Sequence, residues 1–344
     1  MFKAALSAVL AAVVLAACSS APPVVTPPPP APPPPPVALS PRLVEQASAY
    51  RYYMTHASAL TPDFSDGAGV AQSLRTGEAY EPNQLLRGAI AYAAIAALQD
   101  PAFVAGVKTY AGNADQRRQV AYQIIRDPAY AAVLPGSASA AALAIAALGD
   151  GGQKLYDAGK AVKQSAYDVQ KQPWSKADVP DRDSRLAQAK TLSSSAVTGD
   201  LAETARLTRA STGAEPLGLA AAAPASPPYT QTVIRALAVA ALSVLGEAGD
   251  ANVDTVTAVM AEPNIGMCMN LAKLNLYQCL AVSRPHYEDI FCLGQHAMMD
   301  TGRCLIKASG RQEPFEPKFI PTVDESKTYG GPKKPAKKKP ARKR

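Results

Sequence analysis

Cys268, Cys279, Cys292 and Cys304 stand within one short stretch of the chain. Thiols in such a group bridge, hold a metal or shuttle electrons. Zinc favours ligands two to four residues apart, and no C-x-x-C occurs here. A four-ligand list drawn from His286, Cys292, His296 and Cys304 has intervals that fit no compact site. Redox chemistry also calls for closely spaced cysteines. Bridging has geometry behind it. The spacings of 11 and 12 residues are about three helical turns, so each pair shares one helix face. Between the pairs, Ser283-Arg284-Pro285 breaks the helix, and the midpoints of 268/304 and of 279/292 both fall on that break. Two antiparallel helices joined there would set Cys279 against Cys292 and Cys268 against Cys304. That is the nested pairing among three possible connectivities.

Other chemistry is sparse. The chain lacks G-x-S-x-G, H-E-x-x-H and a glycine-rich phosphate loop. Glu81, Glu247, Glu288 and Asp289 are candidates for a carboxylate pair of the kind that cleaves glycans. Sequence spacing brings no two of them together, so none is assigned a catalytic role. Asp178, Asp181 and Asp183 omit the glycine turn and distal glutamate of a calcium loop, and a helix starting near Asp181 accounts for them. His56 sits in the last turn of an expected helix from Pro41 to Ala57, and Trp174 is expected to plug the core at a helix exit. His286, Glu288 and Asp289 are expected to start the second arm of the cysteine hairpin. No metal and no cofactor is expected.

The elements that must position the hairpin begin with a leader. "MFKAALSAVLAAVVLAAC" has Lys3, then an apolar run too short to span a bilayer comfortably, then Leu15-Ala16-Ala17-Cys18. These last four residues resemble the lipobox of bacterial lipoproteins. The resemblance implies cleavage before Cys18, a diacylglycerol on its thiol and an acyl chain on its amine. It implies residence in the cell envelope, where bridges form. In that class an aspartate after the lipidated cysteine tends to retain the protein at the inner membrane, and Ser19 stands there instead, which implies the outer membrane facing the periplasm. Eleven of the fifteen residues from Pro22 to Pro36 are proline. At about 3.1 Å per residue of polyproline II, the stretch 19–41 is a spacer reaching roughly 70 Å.

The net charge of +7 is local in origin. Lys333, Lys334, Lys337, Lys338, Lys339, Arg342, Lys343 and Arg344 are eight of the 35 basic residues, so 27 remain against 28 acidic ones and residues 1–332 carry −1. A nearly neutral body with no basic, aromatic-laced face argues against nucleic acid as a partner. The tail cannot bury apolar area and is expected to be disordered, contacting lipopolysaccharide, anionic phospholipid or cell wall.

Alanine-rich runs with few β-branched residues predict an all-α body, a helical bundle or array ending in the disulfide-clamped hairpin. "AIAALQD" at 94–100, "AIAALGD" at 144–150 and "AVAALSVLGEAGD" at 238–250 are similar, but the period is not sustained, and composition explains the matches. The expected segments are the signal 1–17, anchor and spacer 18–41, a helical region 42–196, an Ala/Ser/Pro-rich connection 197–230, a second helical region 231–310, and an extended segment with the basic tail 311–344. The function expected is non-enzymatic: an envelope lipoprotein that tethers or interacts. The alternative is a periplasmic hydrolase of wall or glycan.

Overall fold

The computed structural model describes residues 36–315 apart from positions 38 and 222. The expected signal 1–17, Cys18, nearly all of the expected proline spacer and the basic tail lie outside the described residues. Helices α1 (Pro41–Ala57), α2 (Gly67–Glu78), α3 (Pro82–Ala97), α4 (Pro101–Lys108) and α5 (Ala114–Arg126) come first. The long α6 (Ser137–Asp168) is followed by α7 (Arg182–Ser194) and α8 (Leu201–Ser211). Then come α9 (Gln231–Val244), α10 (Val253–Val259), α11 (Pro263–Val282), α12 (His286–Cys292), a π-helical segment Leu293–Met299, and α13 (Asp300–Ser309). The described residues form an all-α array in which no strand occurs.

Local chemistry sets most of the starts. Asp100-Pro101, Glu81-Pro82 and Glu262-Pro263 each put a carboxylate at the cap and a proline in the first turn. The carboxylate accepts from orphan N–H groups, and proline has none to leave unpaired. Asp66, Asn113, Asp200 and Thr230 cap α2, α5, α8 and α9 in the same way. α7 starts beside Asp181, as expected. Its first residue is Arg182, but Asp181 adopts φ 47 and its side chain caps nothing. Ile125 of α5 faces outward because it lies about 100° or more around the helix from the buried Val120 and Ile124.

The three alanine strings meet in space. α3, α6 and α9 carry them and pack against one another in pairs. Ala89, Ala93, Ala94, Ala96, Ala140, Ala144, Ala236, Ala238, Ala240 and Ala241 are all fully buried. Small side chains let these axes lie close. The same device joins α6 to the second arm of the hairpin. A Cβ on Gly159 would lie 2.9 Å from the Gly294 carbonyl oxygen, and one on Gly152 would lie 2.9 Å from that of Gly302. Only glycine permits such a backbone approach.

The stretch 197–230 carries α8 and is stitched to the first helices. Gln84 on α3 donates to the Val197 carbonyl (2.7 Å) and accepts from its N–H (2.8 Å). Gln99 does the same for Ala210 O (2.7 Å) and Leu217 N (3.1 Å). Among the described residues no single helix is long and apolar enough to cross a membrane.

The cysteine hairpin forms as the spacing predicts. Cys268–Cys304 and Cys279–Cys292 are bridged, with Cα–Cα distances of 5.8 and 5.7 Å. The unequal spacings are reconciled by the π segment. In an unbroken α-helix, 11 residues leave two side chains about 20° apart and 12 leave them about 120° apart. The π segment absorbs one extra residue between Cys292 and Cys304, so the second arm regains the phase of the first.

Candidate functional site

The turn of the hairpin is held from outside by α7. Arg182 donates to the carbonyls of Ser283 (2.7 Å) and Ala281 (3.0 Å), and Arg185 donates to that of Leu280. These are the orphan carbonyls at the C-terminal end of α11, where cations are favoured. The loop before α7 adds backbone bonds, Val179 N to Arg284 O (2.7 Å) and His286 N to Ala177 O (3.2 Å).

Between α2, the 179–188 segment and the start of α12 this arrangement leaves a cleft of about 520 Å³. Its walls are mostly apolar or small, with Ala68, Ala71, Leu74, Val179 and Pro180 among them. Glu78, Arg185, His286 and Asp289 bring polar groups to it. Such a concave, largely apolar site with a few convergent polar groups is where a small ligand is best held.

Asp289 is buried, ion-paired to Arg185 and bonded to Ser283 Oγ (2.8 Å). Burial raises its pKa, and the Arg185 guanidinium opposes that rise. Glu78, the last residue of α2, is also buried. Desolvation pushes its carboxyl from an ordinary 4.5 to about 7, with nearby Lys273 pulling the other way. Glu78 Oε2 and Arg185 Nε have no hydrogen-bond partner among the described residues.

Beneath the cleft, Lys273 projects from α11 into the interior. Its Nζ donates to the Glu78 carbonyl (2.5 Å) and to Ser193 Oγ (3.0 Å), and lies 3.4 Å from the centroid of the Tyr80 ring. Burial holds its pKa well below 10.5. Lys273 thus ties α11 to the ends of α2 and α7. Chemically, the cleft offers a carboxyl group that exchanges its proton near neutrality, beside a guanidinium fixed by its own carboxylate.

The carboxylates that sequence put forward have dispersed. Glu81 caps α3, accepting from Asn83 N (2.9 Å) and Gln84 N (2.6 Å). Glu247 lies 3.8 Å from Arg117. Glu288 accepts from the Arg284 N–H (2.8 Å). Asp289 alone reaches the cleft, and its companion there is Glu78. Nothing in "RTGEAY" marked Glu78 out. Lys273 did carry a signal: it is the one charge in the 20-residue α11, at the phase of Met269, Leu276 and Leu280. His56 ends α1 and stacks on Tyr52 at 4.0 Å between centroids. Trp174 is partly buried against the core. Among the described residues no group of His, Cys, Asp and Glu is arranged to hold a metal ion. Cys18 and the eight basic residues of the tail lie outside the described residues.

Compared with family models, with curated proteins and with solved structures, the chain matches none.

Proposed function

We propose that this chain is a non-enzymatic lipoprotein of the cell envelope, held at the outer membrane by acyl chains on Cys18 and contacting an anionic envelope polymer or lipid through residues 333–344. The observation that carries the reading is the division of charge: +8 in the last twelve residues against −1 in all the rest. Pairing within the body supports it. Arg51 with Glu203, Arg117 with Glu247, Arg185 with Asp289, Arg209 with Glu215 and Arg311 with Asp150 neutralise cations locally. Near a membrane each basic residue of a tail contributes about 1 kcal/mol of attraction, screened beyond about a nanometre. The test is retention of the full-length chain and of a chain ending at Gly331 on isolated cell wall and on lipopolysaccharide. Loss of retention on truncation, with retention of the full-length chain weakened by salt, is expected. Equal retention of both forms ends the reading.

A second reading is favoured by one observation, the meeting of Glu78 and Asp289 in the cleft. An acid near pH 7 beside a second carboxylate is the pairing used in glycan hydrolysis. In a periplasmic hydrolase Glu78 would donate the proton. Labelled peptidoglycan digested by the wild type and spared by Glu78→Gln would establish it, and no release by the wild type would dismiss it.

A further inference from the structure

α11 is apolar on two sides. One side, Ile265, Met269, Ala272, Leu276 and Leu280, is buried in the body. The opposite side carries Met267, Leu271, Leu274 and Val282, which are 51–75 % exposed. With Gln278 they form a single stripe at intervals of three and four residues. The stripe holds no charge, since the only charged side chain of α11, Lys273, points inward. A helix that is apolar all round is normally buried all round, and a contiguous exposed apolar face marks an interaction site.

We infer that this face pairs with the same face of a second copy of the chain, the two α11 helices running antiparallel. Three observations select that occupant. First, the stripe is symmetric about the point midway between residues 274 and 275. A two-fold axis there sets Met267 opposite Val282 and Leu271 opposite Gln278 of the other copy, with Leu274 beside the axis. An isologous interface requires such self-complementarity. Second, the stripe itself carries no charge, and the carboxylate at the rim of the contact, Glu288, accepts from the Arg284 N–H of its own chain, so the two helices bring no like charges face to face. Third, a pocket of about 350 Å³ opens at the Val282 end, lined by Tyr167, Tyr287 and Phe291 together with Val282 itself. Tyr167 is 51 % exposed there. The two-fold axis delivers Met267 of the second copy to that pocket, where a flexible thioether meets aromatic rings, a favourable contact. The helix, about 30 Å long, and one such knob at each end make a symmetric contact. The inference is independent of how the chain is anchored.

The test uses the full-length chain in whole-cell lysate, with mild oxidation and a non-reducing gel. Leu274→Cys is expected to give a covalent dimer, because the two copies of position 274 flank the axis. Leu271→Cys alone is expected to give little, and Leu271→Cys combined with Gln278→Cys to give the dimer again. Adding Met267→Glu to Leu274→Cys places a charge at each end of the contact and is expected to lower the dimer at least about tenfold. These positions are exposed, and peptide mapping of the 268–304 and 279–292 bridges shows that each variant has folded. A monomer band throughout overturns the inference and leaves the stripe to the chain's own later residues or to another protein. A dimer from Leu271→Cys as abundant as from Leu274→Cys overturns it too, since that outcome belongs to parallel helices.

Discussion

Glu78 and Lys273 each sit where burial favours the uncharged form. For Glu78 the folded state holds its proton up to about pH 7, whereas the unfolded chain releases it near 4.5. Between those values the native state binds more protons, so stability falls as pH rises, by up to ~3 kcal/mol across the window. Glu78→Gln is expected to flatten that fall, read as urea midpoints from about pH 4 to about pH 10. A pH slope unchanged in the variant would show that the carboxyl titrates normally. Lys273 acts with the opposite sign. Its folded pKa is lowered, so its contribution to stability grows as pH climbs toward 10.5. The Gln variant keeps this alkaline rise, which separates the two groups in one experiment.

At the scale of elements, the hairpin is a pair of clamps whose register depends on one irregular turn. In the loop-closure account, closing 13 residues is worth roughly 3 kcal/mol and closing 36 roughly 4, without additivity for nested loops. Replacing Cys279 and Cys292 together by serine is expected to lower the unfolding free energy by about that smaller amount, measured by chemical denaturation under oxidising conditions. The π segment gives a sharper expectation. Deleting Gln295 removes the extra residue, restores a regular helix and leaves Cys292 and Cys304 in phase, so both bridges form. Deleting Asn275 from α11 turns Cys268 by about 100° relative to Cys279, and peptide mapping should then find the nested pair lost. If the two deletions behave alike, the π segment has no part in the register.

For the whole molecule, the relevant contrast is between a body of nearly zero net charge and two ends of different chemistry. Cys18→Ala is expected to move the protein from the membrane to the soluble fraction while leaving tail-dependent retention on cell wall intact. Fractionation of cells carrying each form reads this directly, and a membrane-bound Cys18→Ala chain would dismiss the anchor. The two proposed attachments are separable because the first would be acyl and salt-insensitive and the second ionic.

The sequence by itself determined most of the helix starts, the nested bridges and the class of fold. Caps, prolines and cysteine spacing act over a few residues or through one turn, and their rules are local. It also determined that the alanine strings resemble one another, but not that α3, α6 and α9 pack together through them. Glu81, Glu247 and Glu288 were legible as acids but not in their places: Glu81 caps α3, Glu288 closes the turn at Arg284, and Glu247 pairs with Arg117 of α5, which only folding brings near. The cleft was illegible for the same reason. Glu78, Arg185, Lys273 and Asp289 come from four separate helices, and the altered acidities of Glu78, Lys273 and Asp289 arise from burial. Burial is a property of the packed molecule, and only the tertiary structure decides which side of a helix such as α11 is covered and which is left for a partner.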